Sequence, residues 1–415
     1  MKAKWVCICL VGGLCILPIR MAMSIDIPAG EATISVGVKK LDLSHSLVLA
    51  EKGGMAGVPL RLGDLSIEQI VKSWGEPSET SFEDGSYYAF YSSRQITIGY
   101  NRAGVFELRN EAPEVQELST SVVLAELGLP AEIRQTKWET TFIYRTGKHE
   151  LSILFDQEKD RALYQSVYSS KLKERGEYFL KIKGDSSALT EPAQNGMNKW
   201  RKEMEAFIQQ NPLSISSNGL NRKQVALTFN DGPDQRVTEE ILDILDEYNV
   251  QANFFFLGSQ AAAYPQIVQE AYDNGHLIAN HSYDHVPLAN LTDEQIHNQI
   301  DESAREIKAI IGKAPAIFRP PYGEINGKML PMLSENGTHT VIWSVDTLDW
   351  SVQTADEITG NVRRYVRGGD IILMHSNAQQ KKTAEALPKI LDYLLSSGYE
   401  MVKLDDMLGV DAYED

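Results

Sequence analysis

The sequence QVALTFNDGP at residues 224–233 combines a short apolar run with a polar turn. The run at 225–229 has the composition of a buried strand, and the Gly-Pro pair after Asp231 is typical of a tight turn that fixes a side chain's direction. The pattern repeats to the end of the chain, with strand-like runs at 252–257, 277–280, 316–319, 341–346, 371–375 and 401–404 and helical stretches that include 237–248, 265–274 and 292–311. Seven short strands that alternate with helices predict a parallel α/β barrel or a doubly wound sheet.

Two similar units precede this region. Gly75 and Gly128 are 53 residues apart, and so are Tyr91 and Tyr144. Each unit has a helical stretch followed by strand-like runs: 66–74 with 86–91, 95–100 and 105–108, then 119–127 with 140–144, 151–155 and 162–167. This spacing predicts a small α+β module in tandem. The pattern resembles the helix-and-meander repeats of extracytoplasmic accessory domains, such as the domain found N-terminal to some secreted CAP proteins.

Aromatic residues are concentrated in these two units. They could form a platform for sugar rings, although aromatic residues in such strands more often alternate into the core of a sheet. We assign no site residue in this region. The residues concerned are Trp74, Tyr87, Tyr88, Phe90, Tyr91, Tyr100 and Trp138.

The first 24 residues have the pattern of a signal peptide. Lys2 and Lys4 precede an apolar run at 6–19, and residues 22–24 fit the site that a signal peptidase cleaves. The run is shorter than the roughly 20 apolar residues that span a bilayer. We therefore expect cleavage and export, with a retained N-terminal anchor as the alternative. The mature protein would be secreted, extracellular or associated with the cell wall, without a stable membrane span.

Cysteine content and charge limit which residues can bind a metal and which partners the protein can bind. Cys7, Cys9 and Cys15 are the only cysteines and all lie in the predicted signal peptide, so a metal in the mature chain must be bound by histidines and carboxylates. The formal net charge of −17 argues against nucleic acid and anionic lipid as partners, because an acidic surface repels phosphates. The oligomeric state does not follow from the sequence.

These patterns divide the chain into five parts. They are the signal peptide at 1–24, an N-terminal extension at 25–57, a tandem repeat accessory domain at 58–170, a linker with one helix at 171–223, and an α/β domain at 224–415.

Two histidines and one carboxylate have the composition of a metal site. His281 and His285 are four residues apart just after a predicted strand, and on a helical turn this spacing would place both imidazoles on one face. Asp231 follows another strand end. Two histidines and one carboxylate leave open coordination positions on Zn²⁺, which is typical of a catalytic site.

With three further motifs, the domain at 224–415 resembles the polysaccharide deacetylases that share the NodB homology domain (carbohydrate esterase family 4). Five motifs occur in order over about 180 residues: Thr228–Pro233, His281–His285, Arg319–Gly323, Asp346–Trp350 and Leu373–His375. Five matches in order are far more specific than any single motif. The resemblance implies a distorted (β/α)7-type barrel, in agreement with the strand count.

The resemblance also implies which residues bind the metal. Asp231, His281 and His285 would hold one divalent ion, Zn²⁺ foremost, with Co²⁺ or another divalent ion as alternatives. The ion would polarise the acetamide carbonyl and acidify a water. The backbone N–H of Tyr322 would stabilise the oxyanion.

The remaining roles concern the leaving group and the acetyl pocket. His375 would protonate the departing amine, and Asp346 would orient and charge its imidazole. Trp350, Leu373 and Pro321 would line the pocket for the acetyl methyl group.

One residue departs from the family pattern. The first motif of the family has two adjacent aspartates, and the first is the general base; here that position is Asn230. An amide cannot accept a proton, and loss of a general base typically costs about 10²–10⁴-fold in rate. Arg319, the family's partner of that base, would lack its carboxylate. Glu324 is an alternative base, whereas deamidation of Asn230 is not favoured because Asp rather than Gly follows it.

The sequence therefore predicts a metal-dependent hydrolase that removes N-acetyl groups from a polysaccharide containing N-acetylglucosamine. Peptidoglycan is the leading substrate, and chitin-type oligomers and poly-N-acetylglucosamine remain open. Activity is expected to be attenuated by Asn230. The alternative is a pseudo-deacetylase that acts as a cell-wall or carbohydrate-binding protein. The intact acid side favours the enzyme, because a binding module has no need of His375.

Overall fold

The computed structural model describes residues 41–414 except 64, 65, 84, 85, 336 and 353. The predicted signal peptide, the three cysteines and residues 25–40 of the predicted extension lie outside the described residues. Within the described ranges, none of the helices combines the length and the hydrophobicity that a membrane crossing requires.

The first half of the described chain contains two units of one helix and four strands, preceded by a short helix and a small hairpin. In chain order the elements are α1 (Ser46–Glu51), β1 (Gly54–Met55), β2 (Val58–Arg61), α2 (Ile67–Trp74), β3 (Glu79–Glu83), β4 (Ser86–Tyr91), β5 (Ile96–Asn101), β6 (Gly104–Asn110), α3 (Pro113–Gln116), α4 (Thr120–Leu127), β7 (Glu132–Gln135), β8 (Glu139–Thr146), β9 (His149–Asp156) and β10 (Arg161–Tyr168).

These strands form one antiparallel sheet in the order β3-β4-β5-β6-β10-β9-β8-β7, so the two units meet where β6 pairs with β10. The repeat spacing has a structural basis: Gly75 and Gly128 end α2 and α4 with positive φ, and Tyr91 and Tyr144 are both buried in the core. The outermost strands, β3 and β7, were not predicted. Their side chains are almost all exposed, so they carry no hydrophobic alternation.

The second half contains short parallel strands and helices. Its elements are α5 (Ser170–Gly176), α6 (Glu191–Gln210), β11 (Ile215–Ser216), β12 (Gln224–Asn230), α7 (Val237–Glu247), β13 (Asn253–Phe256), α8 (Gly258–Ala263), α9 (Pro265–Asp273), β14 (Leu277–Asn280), α10 (Asp293–Ile311), β15 (Ile317–Phe318), α11 (Met329–Glu335), β16 (His339–Val341), β17 (Val345–Asp346), α12 (Ala355–Tyr365), β18 (Ile371–His375), α13 (Lys381–Ser396), β19 (Glu400–Met401) and α14 (Leu404–Leu408).

The parallel strands form a curled sheet in the order β11-β16-β15-β14-β13-β12-β18-β17, with β19 beside β12. The predicted fold class, a distorted α/β barrel preceded by a smaller α+β repeat domain, is confirmed. The run at 341–346, predicted as one strand, is two. Thr340 and Val341 pair with β15 and β11, whereas Val345 and Asp346 pair with β18. One apolar run thus covers two strands in different parts of the sheet, which periodicity cannot separate.

The segment 171–223 is more than the predicted linker. Met204 and Ile208 of α6 are buried in the same hydrophobic cluster as β12 and β13, and β11 pairs with β16. Lys183 forms a parallel bridge with Val345 at the other end of the curled sheet. The sequence of α6 resembles a linker because the helix is polar on most of its surface, although one side of it packs on the barrel.

Arg102, in the turn between β5 and β6, joins the two halves. Its guanidinium donates hydrogen bonds to the carbonyls of Gly176 (3.1 Å), Asn218 (2.6 Å) and Tyr178, and it lies over the ring of Phe179. Backbone carbonyls near the start of the second half therefore satisfy most of the donors of this side chain.

Candidate active site

The candidate site lies where the parallel strands of the curled sheet end. Asp231 follows β12, His281 follows β14, and His375 is the last residue of β18. In register, Asn230 is the partner of His375 across the β12–β18 pair. Because parallel strands bring their carboxyl ends to one edge, motifs that are up to 145 residues apart in the sequence meet there.

Asp231, His281 and His285 form a cluster of potential metal ligands. The Asp231 Oδ1 atom is 3.2 Å from His281 Nε2 and 3.4 Å from His285 Nε2. Asp231 Oδ1 and His281 Nε2 are both buried without a hydrogen-bond partner. Buried polar atoms are rarely left unpaired, and the three ligand atoms lie within 4.8 Å of one another, so the cluster fits a divalent ion.

The two imidazoles are oriented by backbone contacts. His281 Nδ1 donates to the carbonyl of Arg319 at 2.7 Å, which leaves the lone pair of Nε2 directed at the cluster. The two histidines do not lie on a helical turn, contrary to the prediction: the segment after β14 is a loop in which Ser282 and His285 have φ of 70° and 57°. Burial, and then the neighbouring His281, lower the pKa of His285 to about 4, which favours the neutral imidazole that a metal requires.

Asn377 is a contact of this cluster that the sequence analysis did not identify. Its Nδ2 donates to Asp231 Oδ2 at 3.0 Å, so one carboxylate oxygen is held while Oδ1 faces the histidines. Asp231 itself has a φ of 70°, in the left-handed region. The only sequence signal was the position of Asn377, two residues after His375 in the loop that follows β18.

Asn230 and Arg319 form the base side of the site. The Asn230 Oδ1 atom accepts a hydrogen bond from a terminal guanidinium nitrogen of Arg319 at 2.8 Å. Arg319 is fully buried; it also donates to Thr228 Oγ1 and to two backbone carbonyls, and it lies 3.9 Å from the ring centre of Phe255. Burial holds the pKa of Arg319 well below its usual value. Among the described residues, no carboxylate forms an ion pair with it.

This contact fixes the direction of the Asn230 amide. A guanidinium has only donors, so the amide oxygen must face Arg319 and the NH₂ group must turn away from it. The side chain therefore presents a hydrogen-bond donor where the family has a carboxylate. Glu324, the alternative base, is exposed, whereas Asn230 is only 4% exposed.

His375 is paired with Asp349, not with Asp346 as the sequence analysis predicted. His375 Nδ1 donates to Asp349 Oδ1 at 2.8 Å, and Asp349 Oδ2 accepts from the backbone N–H of His375 (2.8 Å) and from Thr383 Oγ1 (2.6 Å). Burial alone would lower the pKa of His375. The charge and hydrogen bond of Asp349, with smaller contributions from Asp231 and Asp346, outweigh burial and raise it to about 9.

Asp346 has a different contact. Its Oδ1 accepts a hydrogen bond from the backbone N–H of Leu348 at 2.8 Å, and burial raises its pKa to about 6. Leu348 adopts a φ of 57°. Asp346 therefore holds the turn that carries Asp349 towards His375. The motif contains two aspartates, and the left-handed residue between them decides which one reaches the imidazole.

The residues predicted to line the acetyl pocket differ in exposure. Pro321 and Leu373 are buried, whereas Trp350 is 49% and Tyr322 is 56% exposed. Tyr322 has a φ of 60°, a conformation that costs a residue with a side chain about 1–3 kcal/mol and is common at functional sites. Its ring packs edge-on against His285 with ring centres 4.7 Å apart.

Helix α6 packs against the turn that contains Tyr322 and Gly323. Gly323 has a φ of 66°, and a Cβ atom there would come within 2.7 Å of the ring of Trp200. Trp200 in turn stacks on Trp343 with ring centres 5.4 Å apart. The turn that contains Tyr322 thus rests on a helix that the sequence analysis assigned to a linker.

The chain is similar to known proteins in both of its halves. The family model "Polysaccharide deacetylase" matches residues 217–341, and the model "Domain of unknown function (DUF4309)" matches residues 43–168. A peptidoglycan-N-acetylglucosamine deacetylase of Bacillus cereus is 41% identical over 193 residues, which cover 46% of this chain and 70% of that protein.

Two solved structures are also similar. The Bc1960 peptidoglycan N-acetylglucosamine deacetylase matches at 38% identity with a TM-score of 0.49, over 50% of this chain and 99% of that one. BA3943, described as a pseudoenzyme of carbohydrate esterase family 4 from Bacillus anthracis, matches at 28% identity with a TM-score of 0.44, over 47% of this chain and 68% of that one. Since it covers more than two thirds of a relative to which it is 41% identical, the chain belongs to the polysaccharide deacetylase family (NodB homology domain, carbohydrate esterase family 4).

Proposed function

We propose that the domain at 224–415 is a metal-dependent N-deacetylase of reduced activity that acts on a polysaccharide containing N-acetylglucosamine. The observation that carries this proposal is the convergence of two groups at one edge of the sheet: the Asp231–His281–His285 cluster and the His375–Asp349 pair. Peptidoglycan is the proposed substrate because the Bacillus cereus relative is named for it. Chitin-type oligomers are the alternative.

The reaction adds water to the acetamide carbonyl and breaks the C–N bond, so that acetate and a free amine form. A divalent ion held by the cluster would polarise the carbonyl and lower the pKa of water; Zn²⁺ is proposed, with Co²⁺ as the alternative. The backbone N–H of Tyr322 is proposed to donate to the carbonyl oxygen as negative charge develops there.

His375 and Asp349 are proposed to protonate the departing amine. His375, with its pKa raised to about 9, carries a proton at neutral pH. Asp349 holds Nδ1–H, which leaves Nε2–H as the proton available to the substrate. When the C–N bond breaks, its electron pair stays on nitrogen and takes the Nε2 proton. The amine therefore leaves as a neutral group.

Position 230 offers no general base that could take the proton of the attacking water. The Asn230 amide can bind the water but cannot take its proton, and Arg319 turns the amide oxygen away. Removal of a general base costs about 10²–10⁴-fold in rate. We infer that this step limits turnover.

A second function follows from the same amide. A domain without its base could keep a metal ion and bind N-acetylated sugar without cleaving it. In that case the chain would be a cell-wall or carbohydrate-binding protein. The fixed orientation of Asn230 favours this function, whereas the hydrogen-bonded His375–Asp349–Thr383 arrangement favours the enzyme, because a binding site has no use for a proton donor.

The two functions are separated by measuring acetate release. The purified protein, loaded with Zn²⁺ or Co²⁺, is incubated with N-acetylated chito-oligomers and with peptidoglycan, and is compared with Asn230→Asp. Slow but metal-dependent release by the natural chain supports the enzyme. No release by the natural chain, together with strong release by the variant, contradicts it and supports the binding protein.

The rest of the chain is proposed to serve the same substrate from outside the cell. We propose a signal peptide at 1–24, an extension at 25–57, an accessory domain at 58–170 and a segment at 171–223 that connects this domain to the barrel and packs on it. Mass analysis of the exported protein would identify the cleavage site or a retained anchor.

A further inference from the structure

The eight-stranded sheet of the N-terminal half has two unlike faces. One face packs against α1, α2 and α4, and its core includes Tyr91, Tyr100 and Tyr144. The other face carries Tyr88, Phe90, Tyr164 and Tyr168, all of which are partly exposed. The aromatic residues of this region therefore divide between a core and a surface. We call Tyr88, Phe90, Arg109, Tyr164 and Tyr168 the aromatic face.

Strand register brings these residues together across the junction of the two repeats. Tyr88 on β4 is opposite Gly99 on β5, Gly99 is opposite Glu107 on β6, and Glu107 is opposite Tyr168 on β10. Three strand spacings of about 4.8 Å separate Tyr88 from Tyr168, or about 14 Å. A Cβ atom at Gly99 would come within 3.0 Å of Tyr88 and Glu107, so the glycine allows these side chains to close over β5.

Arg109 occupies the centre of this surface. Its guanidinium lies 5.1 Å from the ring centre of Tyr88 and 5.3 Å from that of Tyr164. The same group forms two hydrogen bonds with Glu107, at 2.8 and 3.1 Å. The Arg109 side chain is 31% exposed and that of Glu107 is 9% exposed. The central charge is therefore neutralised within the surface and held between two aromatic rings.

The neighbouring charges largely balance. Glu132 pairs with Arg134 and Arg145 at the β7–β8 side, and Glu150 lies opposite both Arg145 and Tyr168. Lys173, which lies over the ring of the neighbouring Phe106, is 4.0 Å from Glu177. Such a surface offers little attraction to an anionic polymer. The tyrosine hydroxyls add donors and acceptors, and burial raises the pKa of Tyr88 to about 12, so the hydroxyl stays protonated at neutral pH.

We propose that the aromatic face is a binding site for a neutral polysaccharide strand. Sugar rings have apolar C–H faces that stack on aromatic rings, and their hydroxyl groups hydrogen-bond to groups such as Arg109 and the tyrosine hydroxyls. The charge of the surface matches a neutral ligand. The choice of an N-acetylated glycan rests on the function proposed for the barrel, whereas binding by this face does not depend on catalysis.

The site would tether the chain to its polymer. A second attachment on the same chain raises the local concentration of substrate at the barrel without any new contact in the active site. The benefit therefore applies to polymeric and insoluble substrates and not to short soluble oligomers.

The test is co-sedimentation of the full chain with insoluble chitin, a neutral N-acetylated polymer, and with insoluble peptidoglycan that has been stripped of anionic wall polymers. EDTA is present throughout, so that the metal cluster of the barrel does not contribute. The variant Tyr88→Ala/Tyr164→Ala is compared with the natural chain and with Trp138→Ala, which removes an aromatic ring that is 61% exposed but lies outside the aromatic face. Thermal melting establishes that each variant is folded, and Tyr88→Phe/Tyr164→Phe keeps both rings.

We expect the double alanine variant to bind roughly tenfold more weakly for each ring removed. The phenylalanine pair and Trp138→Ala should bind within about threefold of the natural chain. Unchanged binding by the folded alanine pair, or an equal loss in Trp138→Ala, would overturn the proposal. So would binding that requires added teichoic acid and disappears at high salt. If the natural chain releases no acetate yet binds through these tyrosines, only the function proposed for the barrel fails.

Discussion

Replacing Asn230 by aspartate should restore the missing step in the candidate active site. The Oδ1 atom of Asn230 already lies 2.8 Å from the guanidinium of Arg319, so a carboxylate can take its place with almost no change in shape. One carboxylate oxygen would pair with Arg319. The other would replace the NH₂ group and could accept a proton from water.

Two magnitudes follow from this geometry. A general base is worth about 10²–10⁴-fold in rate, which corresponds to about 2.7–5.4 kcal/mol of activation free energy. Arg319 is fully buried without a carboxylate partner among the described residues, so the new charge should also stabilise the fold. Leaving a buried charge unpaired costs at most about 3–5 kcal/mol, and the carbonyl contacts of Arg319 already offset part of this. We expect a gain of about 1–3 kcal/mol in the free energy of unfolding.

The assay measures acetate release from N-acetylated chito-oligomers with the Zn²⁺-loaded protein, together with thermal melting of the same samples. Asn377→Asp is the matched control, because it makes the same change of amide to carboxylate beside Asp231 but away from Arg319. It should increase neither rate nor stability. Equal rates for the natural chain and Asn230→Asp, with metal bound to both, would refute the assignment of position 230 as the missing base.

Four further outcomes are expected, with rates measured in the Asn230→Asp background. Asp349→Asn should lower the rate by about 10²–10⁴-fold, and should move the alkaline limb of the pH–rate profile below pH 9, because Asp349 raises the pKa of His375 to about 9. In the natural protein the same shift, upward from 6.5, contributes stability that is complete below about pH 6.5 and is lost as pH rises through about 9, which chemical denaturation at a series of pH values would detect. Asn377→Ala should weaken Zn²⁺ binding by about 10–100-fold in calorimetric titration, because it frees the second oxygen of Asp231. Zn²⁺ at 100 times its dissociation constant should stabilise the protein by about 2.7 kcal/mol, and EDTA should remove that gain in a thermal melt.

The predictions on rate, Zn²⁺ affinity and melting can each be contradicted. Asp346→Asn should reduce the rate far less than Asp349→Asn, and the opposite order would reject the pairing of His375 with Asp349. Gln379→Ala, two residues beyond Asn377 and exposed, should leave the Zn²⁺ affinity unchanged. A melting temperature that changes neither with Zn²⁺ nor with EDTA would contradict the assignment of the metal cluster.

Much of the fold could be predicted from local pattern. Short apolar runs predicted the strands at 277–280 and 371–375 with their observed bounds, and the helical stretch at 292–311 predicted α10 to within one residue. The polar edge strands β3 and β7 could not be predicted, because exposed side chains show no alternation. The contribution of α6 to the barrel core was also missed, because only three of its 20 residues are buried, and one of these is an arginine.

In the candidate active site, the motifs predict which residue types meet and place Asn230 where the related family has a general base. Motifs at the ends of parallel strands must converge on one edge, whatever the loops between them do. Three features could not be predicted from the motifs: the aspartate that pairs with His375, the direction of the Asn230 amide, and the tyrosines of the repeats that lie outside the core. The reason is physical. These outcomes depend on left-handed turn residues such as Leu348, on the buried donors of Arg319, and on the pairing of β6 with β10. Each of these is set by contacts between distant segments, which no local pattern contains.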